Sequence, residues 1–180
     1  MKKIILLSMI LGLIIGCAKP SAEELFAAVK RGNIQEVQTL VEKGANVNAK
    51  DIEGNTPLLI ASKEHYFEIA KYLAEHGANV NAKEKDGSTP LMMVIGRGDL
   101  ALVKVLVEKG ADVNAKDNVV GGTPLLLASL LGQLDKVEYL VEHGADVNVK
   151  TKNDGTTPLS GAKKRGHTKV VKYIKAHGSK

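Results

Sequence analysis

Asp51-Ile52-Glu53-Gly54-Asn55-Thr56-Pro57-Leu58 and, further on, Glu75-His76-Gly77-Ala78-Asn79-Val80-Asn81 bracket one unit of this chain. Thr-Pro-Leu begins at Thr56, Thr89, Thr123 and Thr157, at intervals of 33, 34 and 34 residues. Gly-Ala begins at Gly44, Gly77, Gly110 and Gly144, at intervals of 33, 33 and 34. Each Thr lies 21 residues before the next such Gly, and Thr157 lies 21 before Gly178. Counting 21 back from Gly44 reaches Glu23, in Glu23-Glu24-Leu25-Phe26-Ala27-Ala28, a first copy without its Thr-Pro start. Four of the five prolines sit in this tripeptide, so the chain is built from copies. There are five, over about 21–49, 50–82, 83–115, 116–149 and 150–180. Such a period predicts a stacked solenoid.

The physics of one copy agrees. Thr56 suits an N-cap, and Pro57 suits the first helical position, where no amide donor is needed. A short first helix is predicted to about Lys63, and a second from about Phe67 to His76. Ala70, Leu73 and Ala74 recur as Val103, Leu106 and Val107 and as Val137, Leu140 and Val141, a helical spacing on one face. Gly77 stops the helix where a positive φ is needed. Asp86-Gly87 and Asp154-Gly155 are tight-turn dipeptides, and Glu53-Gly54 and Val120-Gly121 hold the same place. One copy cannot bury its own apolar face; stacking five makes a continuous core.

These residues resemble the ankyrin repeat family, and the match recurs in every internal copy. The resemblance implies an all-α repeat solenoid: helix-turn-helix units with β-hairpin loops, whose tips and first helices form a concave face that binds protein partners. There are departures. The family's usual His after Thr-Pro-Leu, which makes a structural hydrogen bond, is replaced by Leu59, Met92, Leu126 and Ser160, so looser loops are expected. His65-Tyr66 stands where Gly-His is usual, while Gly32, Gly98, Gly132 and Gly166 keep the mid-repeat Gly.

The N-terminus reads as an address. Lys2 and Lys3 precede the apolar run Ile4 to Ile15, which is 12 residues long and too short for a span of roughly 20. It ends in Ile14-Ile15-Gly16-Cys17, which resembles the lipobox of bacterial lipoproteins. That resemblance implies a signal peptide over 1–16, an acylated Cys17 and a short linker over 17–22. It also implies a lipid-anchored protein of the bacterial cell envelope, with Ala18 pointing to the outer membrane by enteric sorting rules. The repeat domain would then run over 23–180.

Composition narrows the function. The chain is 44% hydrophobic and 25% charged, which suits a globular unit and excludes a disordered one. Cys17 is the single Cys, so no intrachain disulfide forms. Aromatic residues are 3% and Trp is absent, which, with the export signal, argues against nucleic acid. His76, His143 and His177 share one repeat position that Lys43 and Lys109 also fill, so they serve the negative helix end rather than a metal. The pairs Asn46/Asn48, Asn79/Asn81, Asp112/Asn114 and Asp146/Asn148 are mostly neutral amides, which fits turn duty better than calcium. Ser62 and Ser129 have no His and Asp partners at a unique site. No catalytic residue, metal, cofactor or small-molecule substrate is expected. The expected function is an exported, lipid-anchored protein-protein interaction module. The alternatives are a structural or protective envelope lipoprotein, and a binder of anionic surfaces.

Differences between copies mark the candidate contact residues. Repeat four places Val119-Val120 in an enlarged loop and ends its first helix in Leu130-Leu131, where sibling copies have mainly polar residues. Packing of the two leucines against repeat five is the alternative to a partner-binding patch. Residues 150–180 carry nine Lys or Arg against the single acid Asp154, a net of +8, whereas Cys17 to Val149 has a net of −5. Lys163, Lys164 and Arg165 are expected beside the concave face, near Lys150 and Lys152. Lys169, Lys172 and Lys175 form a separate outer stripe suited to a solubilising cap.

Overall fold

A computed structural model describes residues 19–97 and 99–178. The signal segment, Cys17 and Gly98 lie outside the described residues. Among the described residues there are ten helices and no strand. They are α1 (Ala22–Lys30), α2 (Ile34–Glu42), α3 (Pro57–Lys63), α4 (Phe67–Glu75), α5 (Pro90–Arg97), α6 (Leu100–Glu108), α7 (Pro124–Leu131), α8 (Leu134–Glu142), α9 (Pro158–Lys164) and α10 (Thr168–Ala176). Each repeat contributes one antiparallel pair. First helices pack on first helices (α1, α3, α5, α7, α9), and second helices on second helices.

The first helices start where side-chain chemistry allows. Thr56, Thr89, Thr123 and Thr157 each accept, through Oγ1, the amide of the residue three positions on, at 3.1–3.4 Å. Those amides belong to Leu59, Met92, Leu126 and Ser160, the residues that replace the family's usual His. The first three are buried apolar side chains, and Ser160 closes a capping box with Thr157. Repeat one has no Thr-Pro, and Ser21 with Glu24 forms a capping box instead. The hairpin loops are tight turns rather than strands. Each is closed by a backbone bond near 3.0 Å, from Asp51 to Asn55, Glu84 to Ser88, Asp117 to Gly122 and Thr151 to Thr156, and the first two have a second, from Gly54 to Asp51 and from Gly87 to Glu84.

The last two loops each carry one extra residue, and both lean on the preceding loop. The Asn118 amide donates to Asp86 O at 2.7 Å, and the Lys152 amide to Val120 O at 2.8 Å. Below the helices, asparagines tie neighbours together. Asn48 Nδ2 donates to Gly77 O at 3.0 Å, while its Oδ1 accepts the Asn79 amide at 2.7 Å. Asn81 and Asn114 repeat this pair of bonds one and two repeats further on. The turn reading of these residues therefore covers half their work: the other half spans repeats.

The core runs the length of the stack. Leu25, Leu58, Leu91 and Leu125 on the first helices, and Leu73, Leu106, Leu140 and Ile174 on the second, are fully buried. Each such side chain stabilises by roughly 1.5–3 kcal/mol. At the carboxyl end of the second helices, His76, His143 and His177 contact their own helix. Each Nδ1 lies 2.7–2.8 Å from the carbonyl oxygen of Tyr72, Tyr139 or Tyr173, and each ring lies against that tyrosine with centroids 3.8–3.9 Å apart.

Candidate functional site

Repeats four and five enclose a groove of about 500 Å³ on the face made by loops and first helices. Its apolar floor is Val120, Leu126, Leu127 and Leu130. Asp117 and Asp154 stand on the loop side, and Lys164 and Arg165 on the helix side. At this groove the fifth copy is small at one place. Gly161 occupies the repeat position of Ala27, Ile60, Met93 and Leu127. Leu130 leans into the space, so a Cβ on Gly161 would stand 2.9 Å from Leu130 Cδ2.

Charges in the groove differ in how committed they are. Asp117 Oδ1 accepts the amides of Val119, Val120 and Gly121 at 2.7–3.2 Å, which holds the enlarged loop in shape. Asp154 accepts the Thr151 and Thr156 hydroxyls at 2.6 and 2.8 Å and the Thr156 amide at 3.1 Å. The Thr151 and Thr156 side-chain bonds are the chief reason its carboxyl is pulled down to about 2. Both acids thus hold their own loops in shape. Lys164 and Arg165 are exposed and form no ion pair among the described residues, where the salt bridges are Arg31–Glu36 and Lys63–Glu84.

The residues singled out in the sequence fall into three places. Val120, Leu130, Lys164 and Arg165 meet in the groove. Val119, 64% exposed, and Leu131, 52% exposed, do not line it. Val120, which the sequence places at a solvent tip, is half-buried, with its amide and carbonyl both engaged. Lys163 corrects the sequence grouping. It shares a concavity with Lys172 and Lys175 around Val171 on the end of the stack, not with Lys164 and Arg165. The reason is register: Lys163 occupies the position of Val29, Ser62, Ile95 and Ser129, all fully buried against a following repeat. Among the described residues no copy packs on the fifth, and Lys163 is exposed.

Sequence reasoning missed Leu126, Leu127 and Gly161. The signal was there, since Gly161 breaks a run of larger residues in the repeat alignment. It also missed Ile52, which is 104% exposed at the second loop and lines a larger groove of about 780 Å³ over the first three repeats. Among the described residues no group of three or more His, Cys, Asp or Glu is placed to hold a metal ion, and no helix is long and apolar enough to cross a membrane.

The family described as Ankyrin repeats (3 copies) matches residues 13–84 and 80–151, well over half of the chain. The chain belongs to the ankyrin repeat family. Among curated proteins, none matches it. The ankyrin match ends at the start of the fifth copy, which is the copy that supplies Gly161, Lys164 and Arg165. Ankyrin repeats are in general non-catalytic, protein-binding units, so the site chemistry to explain is recognition rather than reaction.

Proposed function

We propose that this ankyrin chain is an exported, lipid-anchored interaction module, tethered through Cys17, that receives a protein partner in the groove between repeats four and five. The observation that carries the binding part is the groove itself: an apolar floor beside two cations without an ion pair among the described residues, at a Gly161 that replaces larger residues of sibling copies. The anchor rests on the ordered signal from Lys2 to Cys17. One acyl chain gives marginal membrane binding and two or more hold stably, so a lipoprotein-type modification would fix the protein on its membrane.

Two experiments test the two parts. Cys17→Ala should abolish metabolic labelling with a fatty-acid probe and release the protein from the membrane fraction. An unlabelled, soluble wild type removes the anchor. A photo-crosslinking residue at Leu131, exposed and next in the chain to the groove residue Leu130, should capture a defined partner in cells, and Gly161→Leu should suppress that capture by filling the floor. Capture untouched by Gly161→Leu removes the groove.

A second reading has its own observation. Lys163, Lys172 and Lys175 converge on the uncovered end of the stack, with no acid in α9 or α10 to offset them. An anionic surface would be drawn there. Cys17→Ala protein that co-sediments with anionic vesicles, and loses this on changing the three lysines to Gln, would favour it. A structural or protective lipoprotein without a dedicated partner would give neither result.

A further inference from the structure

The groove has a polarity, and that polarity selects an occupant. Its loop side carries Asp117, whose Oδ1 takes three amides of its own loop, and Asp154, which is bonded to Thr151 and Thr156. Its helix side carries Lys164 and Arg165, whose donors are unused by any acid among the described residues. Between them lie Leu126, Leu127 and Leu130. A basic segment would meet Lys164 and Arg165 in a stretch, 150–180, that carries nine basic residues against one acid. A purely apolar segment would cover Lys164 and Arg165 and leave them without a counter-charge, which is costly once water is excluded. An acidic segment without apolar side chains would leave the leucine floor uncovered. Only a segment with both features satisfies all three walls.

Resting on the reading of this groove as the partner site, the geometry points to a partner whose docking segment is a short acidic-apolar stretch of polypeptide. Its apolar side chains sit on the half-buried Leu127 and Leu130, and its carboxylates face Lys164 and Arg165. The receiving surface is prepared in advance. The enlarged loop is held by Asp117, and the tip of repeat five is pinned to repeat four by the Lys152 amide on Val120 O. A groove whose backbone is already fixed loses little freedom on binding. Charge also orients the segment: its acidic residues lie toward the helix ends and away from Asp154, whose carboxyl is held down to about 2 by its bonds to Thr151 and Thr156.

The test uses the full-length chain in mild detergent and three labelled synthetic peptides that share a leucine pattern. One has Asp and Glu between the leucines, one Ser and Gln, and one Lys. Fluorescence anisotropy gives Kd for each. The acidic peptide should bind about tenfold or more tighter than the neutral one, the basic one should bind weakest, and added salt should narrow the gap. Lys164→Gln with Arg165→Gln should erase the acidic advantage, yet leave the neutral peptide's Kd and the melting temperature unchanged. Gly161→Leu should weaken all three peptides alike. A side chain at Gly161 must push Leu130 aside, so the melt is read beside binding: binding lost at an unchanged melting temperature is a filled groove. If Gly161→Leu weakens binding but the double Gln variant does not, the groove stands and the acidic-apolar assignment falls. If neither variant alters binding, the groove reading falls with it. If phosphatidylglycerol vesicles bind the Cys17→Ala protein through Lys164 and Arg165 while no peptide shows preference, the cations serve a membrane, and the proposal is overturned.

Discussion

Lys136 is the residue whose chemistry is least expected from its place. It sits in α8 where repeats two, three and five have Ile69, Leu102 and Val170 and repeat one has Glu36, it is 5% exposed, and Nζ donates to Ile95 O at 2.8 Å. Burial pushes its ammonium below the usual 10.5, partly opposed by Asp135 and Asp99. A lysine with a depressed folded pKa is a charge the fold would rather lose. The unfolded chain then binds more protons between the two pKa values, so its stability contribution improves as pH rises toward 10.5. Lys136→Leu should raise stability at neutral pH by about 1 kcal/mol, roughly 2–4 °C in Tm. Thermal melts across alkaline pH should show the gap between variant and wild type closing. Asp154 has the opposite sign. Its carboxyl falls to about 2 from the ordinary 3.8, so its bonds to Thr151 and Thr156 support repeat five above the upper value and are lost as pH falls through the lower. An acid titration followed by circular dichroism should find wild type losing more stability than Asp154→Asn over that window.

Among elements, the enlarged loops decide most. Repeats four and five each carry one residue more than repeats two and three, and they are the two whose tips bond back to the preceding loop. The contact is close: a Cβ on Gly87 would come within 2.8 Å of the Asn118 backbone nitrogen, whereas a Cβ on Gly54 would meet nothing within 4 Å. Both glycines have positive φ, +83° and +89°. Gly54→Ala therefore measures the left-handed backbone penalty alone, about 1–2 kcal/mol. Gly87→Ala should cost more, because its neighbour is backbone and cannot swing away. Chemical denaturation of the two variants gives the difference directly, and equal losses would mean that the tip-to-tip contact contributes nothing. The same loop explains why Val119→Ser should leave Tm unchanged: the side chain is 64% exposed and only its amide is engaged.

Over the whole molecule, stability in a stacked array is a sum of repeat and interface terms. The ends bury least. Val37 is the one fully covered residue of α2, and α10 buries Val170 and Ile174, against four residues in α4. Backbone amides of α2 and α10 should exchange with deuterium faster than those of α4, α6 and α8, read by hydrogen-exchange mass spectrometry. Uniform protection along the stack would overturn this. Asn81 links the middle of the array, so Asn81→Ala removes one bond to Gly110 O and one from the Asp112 amide. A loss of about 1–2 kcal/mol is expected, since both bonds lie near solvent.

The residues themselves determined the repeat count, the helix pairs, the capping threonines and the family, because each of these follows from local chemistry repeated at a fixed interval. A Thr before Pro starts a helix wherever it stands, and a Gly at the helix end accepts positive φ in every copy. The function of the asparagines was only half legible, since a bond from Asn48 to Gly77 O crosses to the next repeat. The candidate site was legible as unusual residues but not as a grouping. Lys163, Lys164 and Arg165 are adjacent in the chain, yet a helix turns about 100° per residue. That rotation sends Lys163 to the end of the stack with Lys172 and Lys175, and leaves Lys164 and Arg165 in the groove with Val120 and Leu130. Which of them share a surface depends on helix phase and on the missing side chain at Gly161, and both become visible only when two repeats are placed side by side.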